Sequence, residues 1–213
     1  MAKLKVGVLI SGRGSNLAAL IEAAKAPDYP AEIVCVVSNV ATAAGLKIAR
    51  DAGVPTAAIS HRDFADRESF DRAVSVELEK HRVELVALAG FMRIQSPWFP
   101  MQWAGRIINI HPSLLPAFPG LHVQQQAIDA GVRVSGCTVH FVTPELDAGP
   151  IIAQAAVPVL AGDDADKLAA RILRQEHRLY PEVVRWFAEG RICLIDGQVS
   201  VKDAATLLFS SEP

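Results

Sequence analysis

The chain has 213 residues, a formal net charge of −2 and 51% hydrophobic residues, enough for one large α/β domain or two joined halves, and with no basic field for a nucleic-acid backbone. Cys35, Cys137 and Cys193 are far apart, which argues against a zinc cluster or a disulfide framework and for a reducing compartment. The apolar run 6–10 behind Lys3 and Lys5 is too short for a signal peptide or membrane span, so the expectation is a cytoplasmic protein with neither nucleic acid nor membrane as partner.

In chain order, β-branched runs alternate with amphipathic stretches. Residues 5–10 read as a strand, 15–26 as a helix, 32–37 as a strand, and 43–52 as a helix closed by Gly53. A brief strand at 56–59 precedes a helix at 69–81, with Phe70, Ala73, Val74 and Leu78 on its apolar side, and a buried strand at 83–89 ends at Gly90. Strand 106–110, helix 123–130 and strands 136–142 and 151–157 follow, and the last large element is a helix at 164–188 expected to bend near Pro181. The βαβα pattern implies a mostly parallel sheet with helices on both faces. The proline-rich stretch 96–100 is the expected seam between two halves, residues beyond 196 alternate less clearly, and the tail 210–213 is expected to be disordered.

The first strand runs directly into Ser11-Gly12-Arg13-Gly14-Ser15-Asn16 and a helix. Small residues at a helix N-terminus let backbone N–H groups approach an anion that the helix dipole favours. A dinucleotide fingerprint needs a third glycine where Leu17 stands, and no Gly-Lys-Ser/Thr follows for a Walker A loop. Two readings remain: a monophosphate site, or a tight strand-to-helix turn with Ser15 as N-cap.

In Asn109-Ile110-His111-Pro112, strand alternation turns Asn109 and His111 to one side, and Pro112 ends the ladder with His111 at the sheet rim. The loop Glu145-Leu146-Asp147-Ala148-Gly149-Pro150 lies between two apolar strands and is also expected at the rim, where its carboxylate would raise the pKa of a nearby imidazole. An imidazolium beside an amide donor stabilises a forming oxyanion. The competing readings are a buried histidine held by a neighbouring amide and an aspartate that only forms a turn. His140 is taken as a satisfied core histidine. A metal site built from His111, His122, His140 and Asp147 lacks any HxH or HExxH spacing, and a non-catalytic nucleotide-binding module would leave Asn109, His111 and Asp147 without a role.

Taken together, residues 11–16, Leu88-Ala89-Gly90-Phe91-Met92-Arg93-Ile94, Asn109 to Pro116 and Glu145 to Pro150 resemble the folate-dependent glycinamide ribonucleotide formyltransferases over nearly the whole chain up to Gly190. The resemblance implies a formyltransferase-like fold with a Rossmann-like N-terminal half, a single domain 1–213 with a phosphate-binding half 1–100 and a folate and catalytic half 101–213. It implies 10-formyltetrahydrofolate as co-substrate, no metal, small-molecule substrates only, and a monomer or homodimer. By resemblance, Asn109 and His111 meet the tetrahedral oxyanion and Asp147 assists proton transfer through an ordered water. Gly12, Arg13, Gly14, Ser15 and Asn16 hold the substrate phosphate, and Glu176 holds its amine, although the residues alone read Glu176 as a solvated helix position. Arg67, Met92, Arg93, Ile94, Gln95, Asn109, Val142 and Asp147 map onto the folate site. Gln124 stands where many relatives carry a second histidine.

Overall fold

The computed structural model describes residues 2–203, and 207–209 as backbone. It divides into two compact units, residues 1–109 with 142–144, and residues 110–141 with 145–213.

In the first unit, β1 (Leu4–Ile10), β2 (Ala31–Ser38), β3 (Thr56–Ala58), β4 (Leu85–Leu88) and β5 (Ile107–His111, whose last two residues belong to the second unit) form parallel neighbours in the order β5-β4-β1-β2-β3. The intervening helices are α1 (Ser15–Ala24), α2 (Ala44–Asp51) and α3 (Arg67–Lys80), with a single 3₁₀ turn at His61–Asp63. Helix α3 begins in a capping box: Asp66 accepts from the Ser69 amide and Ser69 accepts from the Asp66 amide, which satisfies two otherwise orphaned donors. Phe70, Val74 and Leu78 from α3 pack with Leu9, Val86, Leu88, Phe99 and Trp103 into one buried cluster. Burying each such side chain is worth about 1.5–3 kcal/mol before entropy opposes it.

A fourth helix, α4 (Trp98–Gln102), occupies the stretch that reads as a proline-rich seam. Pro97 sits at its N-cap and Pro100 in its first turn, positions where a missing N–H removes no intrahelical bond. Breaker residues therefore start this helix.

In the second unit, α5 (Val123–Asp129) precedes β6 (Val134–Phe141), which pairs antiparallel with β7 (Ile151–Pro158), and β7 pairs parallel with β10 (Leu207–Phe209). The long helix α6 (Ala165–Ala188) is one element through Pro181 and buries Leu168, Ile172, Leu179, Tyr180, Val183 and Val184 while packing on β6, β7 and α5. Its N-cap Asp164 accepts from the Lys167 amide. A hairpin, β8 (Ile192–Ile195) and β9 (Gln198–Val201), turns at Asp196-Gly197, both at positive φ. That dipeptide is a strong hairpin signal, and the reading of the chain beyond 196 missed it. The tail 210–213 lies outside the described residues.

The mostly parallel α/β class agrees with the sequence expectation. Among the described residues no helix is long and apolar enough to cross a membrane.

Candidate active site

In the second unit, β5 ends at His111, as Pro112 dictates. The chain then wraps through Ser113 to Gly120 and returns its carbonyls to the strand end. The His111 Nε2–H donates to the Phe118 carbonyl at 3.0 Å; a carbonyl only accepts, so this fixes the neutral tautomer and leaves Nδ1 to face Asp147. Nδ1 lies 3.6 Å from Asp147 Oδ2, the same oxygen that accepts the Gly120 amide at 2.9 Å. His140 approaches the other oxygen, with Nε2 3.9 Å from Asp147 Oδ1, and its Nδ1–H donates to the Phe141 carbonyl at 2.8 Å.

The carboxylate of Asp147 is thus flanked by two imidazoles, all three side chains 9% exposed or less. Burial pushes the His140 pKa down, and this outweighs the opposing attractions of the Phe141 carbonyl and Asp147. His140, expected as a core histidine, is therefore a neutral wall of the site. The available signal was its place on the strand that leads, seven residues later, into Asp147. Asp147 is left-handed at φ 51, and so is Phe118 at φ 54; the conformation is cheap for aspartate but costs a bulky residue roughly 1–2 kcal/mol.

Buried hydrogen bonds hold the wrap in place. Ser113 Oγ donates toward the Ala117 and Phe118 carbonyls at 2.7 and 3.0 Å. On β6, Thr138 Oγ1 donates to the Ser113 carbonyl (2.7 Å) and accepts from the Leu115 amide (3.0 Å). Gln154 on β7 donates to both the Leu115 carbonyl and Thr138 Oγ1. The Leu115–Pro116 peptide is cis. His122 is exposed at the start of α5, away from the pattern that a three-histidine metal site requires. Among the described residues no three His, Cys, Asp or Glu side chains converge to hold a metal ion.

Glu176 is 6% exposed on α6, so the solvated-helix reading is corrected. Arg171, one of the cations that reading placed beside it, is committed to Asp163 at 2.7 Å and to the Pro158 carbonyl, and Arg174 and Arg178 are exposed. Burial pushes the Cys137 thiol and the Tyr180 hydroxyl pKa values up, and the Glu176 charge pushes both further in the same direction.

In the first unit, Gly14 rather than Ser15 is the N-cap of α1, at φ 77 and with no side-chain cap. A Cβ there would come within 2.6 Å of the Gly45 Cα, so glycine is required for both conformation and close helix approach. Gly12 has open space around its missing Cβ, and Gly12 and Arg13 are exposed while Asn16 is buried. Uncapped first-turn amides beneath an open, exposed glycine suit an anion.

The strip 92–95 is irregular backbone. Met92 and Ile94 are 64% and 56% exposed, and Arg93 lies with its guanidinium carbon 5.2 Å from the centre of the Phe70 ring. Gln95 is half-buried, Arg67 is exposed at the start of α3, Val142 is half-buried, and Asn109 is half-buried two residues before His111 on β5.

The chain belongs to the formyl transferase family, whose model matches residues 4–184. It is similar to the phosphoribosylglycinamide formyltransferase of Escherichia coli (strain K12), with 48% identity over 201 residues that cover 92% of this chain and 95% of that protein. It is also 52% identical over 190 residues, 89% of this chain, to the trifunctional purine biosynthetic protein adenosine-3 of Gallus gallus, of whose length it spans 19%. The crystal structure of phosphoribosylglycinamide formyltransferase from Anaplasma phagocytophilum superposes with a TM-score of 0.91 at 49% identity, covering 98% of this chain and 100% of that one.

Proposed function

We propose that this protein transfers the formyl group of 10-formyltetrahydrofolate to the amine of glycinamide ribonucleotide, a step of purine biosynthesis. The observation that carries the reading is the buried His111–Asp147 pair, in a chain that resembles a phosphoribosylglycinamide formyltransferase across 95% of that protein's length.

The substrate amine attacks the formyl carbon and the carbonyl oxygen becomes an oxyanion. Asn109 donates to it through its amide, and His111 through a protonated Nδ1, since Nε2–H is already held by Phe118. The 3.6 Å between Nδ1 and Asp147 exceeds a direct hydrogen bond, which leaves the carboxylate able to act through an ordered water beside the pair. Through such a water, Asp147 takes the proton shed by the attacking nitrogen. The folate nitrogen accepts a proton as its bond to the formyl carbon breaks, so the net movement is one formyl group one way and one proton the other.

Gly12, Arg13, Gly14, Ser15 and Asn16 hold the phosphate, and Glu176 holds the substrate amine. Met92 to Gln95, with Arg67, Arg93, Val142, Asn109 and Asp147, receives the folate, whose flat heterocycle suits apolar walls with a few backbone partners. No step requires a metal. We place the enzyme in the cytoplasm as a monomer or homodimer.

The test is an assay of purified protein with glycinamide ribonucleotide and 10-formyltetrahydrofolate, with water as the competing acceptor. Formylglycinamide ribonucleotide as the main product supports the transferase reading. Free formate, formed at the same rate with or without the amine, overturns it in favour of a hydrolase.

A further inference from the structure

The strip 92–95 has no regular secondary structure, yet both its ends are fixed by side-chain acceptors from other elements. At one end the Met92 amide donates to Ser11 Oγ at 2.7 Å, and that hydroxyl donates onward to Asn39 Oδ1 at 2.6 Å. At the other, the Ser96 amide donates to Asp71 Oδ2 at 2.6 Å. Asp71 is 1% exposed, on the inner face of α3 beside Phe70, Val74, Ser75 and Leu78. An ionisable residue there is unfavourable unless its charge is used. Burial pushes its carboxyl pKa up, while the Ser96 hydrogen bonds and the nearby Arg93 and Arg67 pull it back.

The two clamps have different origins. Ser11 is the last residue before the exposed part of the glycine loop, and its own amide bonds the Gly90 carbonyl. Asp71 follows Phe70, the ring on which both Arg93 and Phe91 lie, with Phe91 parallel at 6.5 Å between ring centres. Between the clamps, Met92 and Ile94 project outward as the apolar exposed part of the strip. An irregular segment held at its ends presents its middle without the ordering cost a free loop would meet on binding.

We propose that Ser11 and Asp71 are positioning residues that clamp the two ends of the 92–96 strip and so preorganise it for the formyl donor. The proposal rests on the reading of this strip as the donor site. Neither residue touches the reacting atoms; each acts through a backbone amide of the strip.

Calorimetric titration with 5-formyltetrahydrofolate tests this without turnover, alongside steady-state kinetics with 10-formyltetrahydrofolate and glycinamide ribonucleotide. Asp71→Ala and Ser11→Ala each remove one acceptor, and each is expected to weaken folate binding about tenfold, the loss of one buried hydrogen bond. Asp71→Asn keeps an oxygen in place and is expected to restore binding to within about threefold of the original protein. In Asp71→Ala the donor KM rises while the acceptor KM does not, a split that general destabilisation does not produce. Unchanged folate affinity in both folded alanine variants overturns the proposal, and so does equal loss in Asp71→Asn and Asp71→Ala. If the unmodified protein binds the folate but forms no product with the amine, the functional reading falls and the clamp stands on its binding data. If it binds no folate, the clamp falls with the donor site.

Discussion

His111 and Asp147 are held in a fixed relation by bonds that belong to neither partner's chemistry. The ring is oriented by the Phe118 carbonyl at Nε2, the carboxylate by the Gly120 amide at Oδ2, and the nitrogen and oxygen left facing each other are 3.6 Å apart. Orientation by a third group is the arrangement that lets an imidazole and a carboxylate share a proton with substrate. Because both anchors are backbone groups, substituting either side chain removes chemistry without removing the anchor of the other. His111→Ala and Asp147→Asn are each expected to lower kcat by about 10²-fold or more, with circular dichroism unchanged. Near-normal turnover in a folded variant would remove that residue from the mechanism.

The glycine loop gives a prediction in which two glycines on either side of Arg13 diverge. Gly14 is at φ 77 with the Gly45 backbone 2.6 Å from any added Cβ, so Gly14→Val is expected to cost about 2–4 kcal/mol of stability. It is a folding lesion first, and a raised KM in that variant says little about phosphate. Gly12 faces open space. Gly12→Ala is therefore expected to melt within about 2 °C of the original protein while its KM for glycinamide ribonucleotide rises and its KM for the folate does not. An unchanged acceptor KM would place the phosphate elsewhere.

His140 links the site to acid stability. Its folded pKa is depressed below the ordinary histidine value, chiefly by burial. Above pH 6.5 both folded and unfolded states hold it neutral and it contributes nothing to the pH dependence. As pH falls below 6.5, the unfolded chain binds a proton that the folded protein refuses, so stability declines, by up to about 1.4 kcal/mol per pH unit, until the depressed folded pKa is reached. His140→Gln removes that slope. Urea midpoints at pH 7.5 and 5.0 measure it: the difference between the two is expected to be smaller in the variant, and equal differences would mean that His140 is protonated as readily inside the protein as outside.

The sequence was most legible where one residue's covalent chemistry decides the backbone. Pro112 ends β5 at His111, and the alternation of β1 and β2 with the helices between them is written in apolar periodicity. It was least legible where tertiary context reverses a local signal. Pro97 and Pro100 read as breakers yet open α4. Ser15 reads as an N-cap, yet Gly14 takes that position because the approach to Gly45 leaves no room for a side chain. His140 and Asp71 share another difficulty: each is a polar residue on an apolar element, and sequence alone does not distinguish a satisfied core group from one that serves a site. Only their partners do, the Asp147 carboxylate for one and the Ser96 amide for the other.

Glu176 brings that distinction to a measurable point. Its carboxylate is 6% exposed on α6, and the pKa values of Tyr180 and Cys137 rise partly in response to its charge. Glutamine has nearly the same shape and no charge, so Glu176→Gln tests the charge alone. If the charge serves to grip the ammonium form of the substrate amine, the same substitution weakens acceptor binding by about tenfold or more, the usual worth of a charge-assisted hydrogen bond, and leaves the folate KM where it was. A solvated helix residue would move neither the melting temperature nor the acceptor KM, and a purely structural buried acid would lower the melting temperature without touching the acceptor KM. A selective rise in acceptor KM is the outcome that assigns Glu176 to the substrate; an unchanged acceptor KM withdraws it.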